Sequence, residues 1–435
     1  MIWTSTRDAS LRVSFLEASA ASVPGDGGLF VPAALAPIED VDEMLALPRD
    51  LRVQLLFARL LGGELGREEA SRLARESFGF PVPLVEVESR RWALELFHGP
   101  SLSFKDFGVG FLARLLELEP RGADRRPRTV LTATSGDTGA AVAAAFHERA
   151  GFRVAVLYPR GRISALQERQ IATLGANVRA FAVEGAFDDC QRLVKAAFAD
   201  ARLARAHRLV AANSIHPARL LAQVVYYFDA VADLRRRAPG GPVPAIVVPS
   251  GNFGNLSAAL IARRLGLPIG RLLLATNANR TVPEHLDGAP YRPRPSVATL
   301  SNAMDVGAPN NWERVVWLHG GQVERVRAEL DWGSATDEET LAEVARLDRL
   351  GYRADPHGAV ASKVLRERVP PELPGLFLAT AHPAKFEATA GGARLPEALA
   401  EALERPLRSE PLAADVEALA LALADGWPEP RKEET

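Results

Sequence analysis

From about residue 91 onward the chain repeats one pattern: a short apolar run, a turn of glycine, hydroxyl or amide side chains, then a stretch with helical spacing. The runs fall at 129–133, 154–158, 178–183, 208–212, 245–248, 272–275 and 376–379, and helical spacing covers 140–146, 164–174, 187–206, 218–237 and 257–265. Apolar runs without alternation suit strands buried on both faces, and strands that alternate with helices build parallel sheets covered by helices. The pattern predicts an α/β fold, with parallel sheets flanked by helices in two lobes. Ligands bind such sheets at the carboxyl ends of the strands, so the loops there are where chemistry belongs.

Residues 1–90 follow a different rhythm and read as an N-terminal cap of mixed structure. Helical spacing at 51–61 and 68–78 is closed by the Pro81 and Pro83 cluster, and Val85 and Val87 alternate with Glu86 and Glu88 as in a half-exposed strand. The expected domains are therefore 1–90, 91–212 and 213–435, the last ending in an alanine- and leucine-rich helix. A linker at 238–242 precedes the strand at 245–248. With 435 residues, 47% of them apolar, the chain has ample core for two or three domains. Net charge is −2 with the signs interleaved, which excludes a nucleic-acid footprint. The single cysteine, Cys190, excludes an intrachain disulfide framework and fits a reducing cytoplasm. No basic-then-apolar leader opens the chain, and no apolar stretch reaches the about 20 residues of a membrane span. A cytoplasmic protein without membrane or nucleic-acid partners is expected. The histidines do not fall at zinc-ligand spacing, so no metal is expected.

Three loops carry candidate chemistry. Lys105 lies in Phe97-His98-Gly99-Pro100-Ser101-Leu102-Ser103-Phe104-Lys105-Asp106-Phe107. Lys and Arg total 52, yet lysine occurs only at Lys105, Lys195, Lys363, Lys385 and Lys432. A desolvated lysine amine becomes a nucleophile, which arginine cannot. Two readings fit Lys105: a group for covalent chemistry, or a helix-start lysine whose stem packs on the core. The second loop, Thr134-Ser135-Gly136-Asp137-Thr138-Gly139, leads from a buried strand into a glycine- and alanine-rich helical turn. It suits a carboxylate or phosphate, the alternative being an ordinary turn capped by Asp137 or Thr138. The third, Ser250-Gly251-Asn252-Phe253-Gly254-Asn255, has two glycines three apart that let amides curl round a phosphate; a plain turn is the alternative. Gly108-Val109-Gly110 matches the loose dinucleotide fingerprint but follows no strand, and is rejected.

In order along about 290 residues, these stretches and several others resemble the threonine synthases, members of the fold type II, tryptophan-synthase-β-like pyridoxal-phosphate enzymes. The others include Asn213-Ser214-Ile215-His216, Ser301-Asn302-Ala303-Met304-Asp305-Val306-Gly307 and Thr380-Ala381-His382-Pro383-Ala384-Lys385-Phe386. The resemblance implies the cofactor pyridoxal 5'-phosphate, Schiff-base chemistry at Lys105, and conversion of O-phospho-L-homoserine and water to L-threonine and phosphate, by a monomer or homodimer. It implies that Gly251, Asn252, Phe253, Gly254 and Asn255 hold the cofactor phosphate, with Asp137 near the ring and Thr380 at its nitrogen. It gives the substrate carboxylate to Ser135, Gly136, Thr138 and Gly139, and the substrate phosphate to Ser214, Arg219 and Asn252. The 91–212 lobe would be the smaller, mobile one. His216 stands where the family has asparagine, and Gly358 where it has threonine. The alternatives are a related threonine or serine dehydratase, an O-acetylserine-type β-replacement enzyme, or a non-catalytic relative that binds the cofactor or a phosphorylated ligand.

Overall fold

Strand pairing decides where each of these loops comes to lie. The computed structural model describes residues 1–118, 126–386, 389, 391 and 395–427. These fall into two compact units: Met1–Phe111 with Ser214–Gly391, and Leu112–Asn213 with the described part of the C-terminal stretch.

The larger unit is built on a six-stranded sheet in the order Leu330–Ser334, Leu272–Thr276, Ala245–Pro249, Gly375–Ala379, Arg91–Glu95, Leu84–Glu88. All neighbours are parallel except the last pair. The strands Leu272–Thr276, Ala245–Pro249 and Gly375–Ala379 are buried at every residue, which is why they read as unbroken apolar runs. One face is covered by the helix Pro356–Arg368, whose Ala359, Val360, Val364 and Leu365 pack with Val247, Leu273 and Phe377. Residues before the sheet belong to the same compact unit. Phe78 stacks on Phe111 of the helix Lys105–Leu118 with ring centroids 5.9 Å apart, and Phe57 packs on it tilted at 5.1 Å. Arg52, fully buried, bonds Asp229 at 2.7 Å in the helix Val224–Arg237.

The smaller unit has a five-stranded, all-parallel sheet in the order Ser409–Leu412, Val178–Val183, Phe152–Pro159, Arg128–Ala133, Leu209–Ala211. Cys190 sits in its core with Leu131, Phe181, Leu193 and Leu419. Burial and the neighbouring Asp189 push its thiol up to about 12, as befits a packing residue.

Several local expectations differ. The stretch 187–206 breaks into Phe187–Ala199 and Ala201–His207, because Asp200 accepts the N–H groups of Arg202 and Leu203 and starts a new helix. The stretch 218–237 likewise divides at Gln223 into Pro217–Ala222 and Val224–Arg237. Ser409–Leu412 is an unexpected strand; it lies at a sheet edge, where Pro411 is tolerated. Segment 91–95 pairs with 84–88 and 375–379 in the larger sheet, apart from the 91–212 lobe expected for it, and 409–412 pairs in the smaller sheet, apart from 213–391. Among the described residues no helix is long and apolar enough to cross a membrane.

Candidate active site

In the larger unit the parallel strands Arg91–Glu95, Gly375–Ala379 and Ala245–Pro249 all end at one edge of the sheet. The lysine loop and the Thr380 loop leave it side by side and are stitched by backbone. Leu96 N–H donates to Ala379 O (2.9 Å), Phe104 N–H to Thr380 O (2.8 Å) and His382 N–H to Leu102 O (3.0 Å). Leu102 takes φ 57°, a left-handed conformation unusual for leucine, so the turn is held by this stitching. Lys105 is the first residue of its helix, half-buried, with Nζ 4.6 Å from the Phe104 ring centroid. Behind it, buried Asp106 accepts the Ser101 N–H at 2.9 Å, and Lys385 Nζ donates to Ser101 O at 2.9 Å. Burial lifts the Asp106 carboxyl to about 6, although Ser101 and Lys385 pull it down. Thr380 is buried beside this loop. Gly108 lies in the same helix, where a Cβ would come within 3.3 Å of Arg219; close packing, not a dinucleotide turn, accounts for it.

The loop after Ala245–Pro249 starts the helix Gly254–Arg264. Phe253 turns it with φ 62°. Gly251 is required by space, since a Cβ there would lie 2.7 Å from Met304 Cα. Among the described residues the N–H groups of 251–255 have no protein acceptor, as a helix start leaves them. The Asn255 side-chain oxygen accepts from both Tyr226 (2.6 Å) and Tyr227 (2.5 Å), which turns its buried Nδ2 away without a partner among those residues. A row of open amides with one orphaned buried amide donor fits a phosphate monoester.

Ser214 meets Asn252 of that loop, and Arg219 follows in the next helix with its side chain against Gly108 of the lysine helix. Asn252 Nδ2 donates to Ser214 Oγ at 2.6 Å, and Arg219 is buried in the next helix, Pro217–Ala222, its guanidinium lowered by burial to about 10 and so still charged. His216 caps that helix: its Nδ1 accepts the Ala218 N–H at 3.1 Å. Burial, with Arg219 and Arg314 nearby, pushes His216 down to about 3, so it is neutral and replaces an asparagine cap by another uncharged cap. Asp355 Oδ1 caps Pro356–Arg368 through the His357 and Gly358 N–H groups, while its buried Oδ2 has no partner among the described residues. Gly358 offers no hydroxyl there.

The loop with Ser135, Gly136, Asp137, Thr138 and Gly139 lies in the smaller unit, after Arg128–Ala133. Its shape is set from within. Thr134 Oγ1 accepts the N–H groups of Gly136 (2.9 Å) and Gly139 (2.8 Å). Gly136 has φ 139°, and a Cβ on it would lie 2.4 Å from the Gln167 side chain. Gln167, fully buried, donates from Nε2 to Asp137 Oδ1 at 3.2 Å and accepts the Ser164 N–H at 3.2 Å. Sequence reasoning placed Thr134 in the loop without its shaping role, and missed Gln167, Tyr226, Tyr227, Asn311 and Arg314. The Ser164–Gln167 capping box was legible as a helix start; the inward reach of its glutamine was not.

A lysine loop stitched to a threonine loop, with an amide-lined cradle at the end of a neighbouring parallel strand, suits a pyridoxal-phosphate-dependent enzyme, and comparison with known proteins shows that class. The sequence profile described as pyridoxal-phosphate dependent enzyme matches residues 79–378, and that described as threonine synthase, C-terminal, matches 358–421. Threonine synthase of Escherichia coli strain K12 is 46% identical over 420 residues, covering 95% of this chain and 97% of that protein. The crystal structure of the Escherichia coli threonine synthase superposes with TM-score 0.90 at 45% identity, over 98% of this chain and 99% of that one. The pyridoxal-phosphate-bound threonine synthase of Brucella melitensis gives 0.89 at 34% identity, over 97% and 98%. The chain belongs to the threonine synthase family. It is a lyase acting on a small-molecule substrate, and pyridoxal phosphate is its cofactor.

Proposed function

We propose that this enzyme converts O-phospho-L-homoserine and water to L-threonine and phosphate, in the cytoplasm, as a monomer or homodimer. The observation that carries the reading is the presence, beside one sheet edge, of two anion-suited clusters. The open amides of 251–255 with Asn255 Nδ2 form one, and Ser214, Asn252 and Arg219 the other. Two phosphates, one on the cofactor and one on the substrate, call for both.

The cofactor, when bound, supplies the electron sink that makes the substrate's Cα and Cβ hydrogens acidic. Lys105 would hold it and, once its amine is free, would take protons from Cα and Cβ and return protons to Cγ and Cα. Thr380 offers a neutral hydroxyl to the ring nitrogen. Ser214, Arg219 and Asn252 hold the substrate phosphate until it leaves from Cγ; the guanidinium fork suits an oxyanion. Ser135 and Thr138 would grip the substrate carboxylate, with Asp137 beside them near the ring; Gly136 and Gly139, expected to share that grip, have their N–H groups bonded to Thr134 Oγ1 and instead shape the turn. Water adds at Cβ. The phosphate handle selects against free homoserine, because an anion-binding site left empty is costly.

The test is release of phosphate from O-phospho-L-homoserine by the holoenzyme, with threonine as co-product. Lys105→Ala is expected to lower the rate by about 1,000-fold or more. A yellow protein that releases no phosphate would move the substrate to another amino acid.

A further inference from the structure

Arg314 lies in the helix Trp312–Leu318 and is fully buried. Its guanidinium donates to three neutral oxygens: Phe30 O from Nε (3.0 Å), Asn311 Oδ1 from Nη1 (2.6 Å) and Ile215 O from Nη2 (2.5 Å). Two of these lead to the anion cluster. Asn311 Nδ2 donates to Asn252 O at 2.8 Å, and the next amide, Asn310 N–H, donates to Asn252 Oδ1 at 2.6 Å. With its oxygen taken, Asn252 turns Nδ2 to Ser214 Oγ. Ile215, gripped by the other prong, directly follows Ser214. The guanidinium thus brackets the Asn252–Ser214 pair from behind, with one arm toward each residue.

We propose that Arg314 is a positioning residue for the substrate phosphate, clamping Asn252 and Ser214 while lending the site a buried positive charge that favours a phosphate dianion. This rests on the function proposed above. Burial lowers the guanidinium to about 9, so it remains charged at neutral pH, and the same charge helps keep His216 neutral. A buried cation whose partners are carbonyls favours an anion nearby more strongly than an exposed one, because no water screens it.

The test compares wild type, Arg314→Gln, Arg314→Lys and Asn311→Ala as holoenzymes, reading KM for O-phospho-L-homoserine, kcat, inhibition by inorganic phosphate, and cofactor affinity by absorbance. Arg314→Gln is expected to raise both KM and the phosphate inhibition constant about tenfold or more, with kcat and cofactor affinity within about threefold. Arg314→Lys, keeping charge without the fork, should recover part of the phosphate affinity. Asn311→Ala retains the charge and cuts one arm; a several-fold weakening of phosphate inhibition is expected, and this variant decides the matter if the Arg314 variants do not fold. Unchanged phosphate inhibition, or loss of cofactor affinity in step with KM, overturns the proposal. A wild type that does not turn over the phosphorylated substrate overturns the function instead; an active wild type with indifferent Arg314 variants overturns only this inference.

Discussion

Two loops with the same outline, a buried strand running through glycines into a helix, are held in opposite ways. In the smaller unit the 134–139 loop is shaped from within, Thr134 taking two of its amides and Gln167 filling the space before Gly136. In the larger unit the 250–255 loop keeps its amides open and is shaped from outside, by Tyr226 and Tyr227 on Asn255 and by the Asn310–Asn311 pair on Asn252. The first has few donors left and suits a small, planar carboxylate. The second has a whole helix start and suits a phosphate. On the function proposed above, similar sequence punctuation would serve two anions, the difference lying in the side chains that shape each loop.

The most severe test of that contrast adds one methyl group to each loop. Gly136→Ala meets both the φ of 139° and the Gln167 side chain, and should cut kcat/KM by about 100-fold while the protein stays yellow. Gly251→Ala meets the Met304 backbone and should instead lose the cofactor. If absorbance titration shows Gly136→Ala losing cofactor as well, the two loops do not divide the anions as argued.

Asn255→Ala removes the orphaned donor and leaves two buried tyrosine hydroxyls without their side-chain acceptor. Cofactor affinity should fall by about 10- to 100-fold, as judged by equilibrium dialysis, with KM for substrate in saturating cofactor little changed. Gln167→Leu, by contrast, should raise KM by about tenfold and leave cofactor affinity alone, because the lost bonds are those to Asp137 in the smaller unit's loop and to the Ser164 helix start.

The smallest effect on turnover is expected at Asp106, which probes the lysine loop's support rather than either anion cradle. Its carboxyl is raised by burial from 3.8 to about 6, so the folded protein binds its proton more tightly than the unfolded chain. Stability from this group is complete below about pH 4 and is lost as pH rises to about 6, by about 3 kcal/mol. Asp106→Asn should abolish that loss: in melts from pH 4 to 7 the variant gains on wild type as pH rises, with kcat within about threefold. A variant that instead falls behind as pH rises would mean that the ionised carboxylate is the form the fold prefers.

Much of this architecture is legible in the order of the residues. The apolar runs from 129 to 379 mark strands that the sheets contain, since burial on both faces demands unbroken apolar sequence. The glycine-punctuated loops stand out because their amides and positive φ angles depend on residues next to each other. The helix breaks at Asp200 and Gln223 are hidden by continuous helical spacing; at the first, a single capping side chain outweighs periodicity.

Local chemistry belongs to the sequence: which loops can offer amides, hydroxyls, a lysine amine and an arginine fork, and where strands begin and end. Only long-range packing made residues 91–111 join Ser214–Gly391, stitched Thr380 to the lysine loop, and brought Arg314, Gln167 and two tyrosines to loops remote in the chain. The reason is physical. Periodicity and turn chemistry are properties of neighbours along the backbone, whereas a buried polar side chain is satisfied by whatever the fold brings within about 3 Å, and nothing in its own neighbourhood of sequence says what that will be.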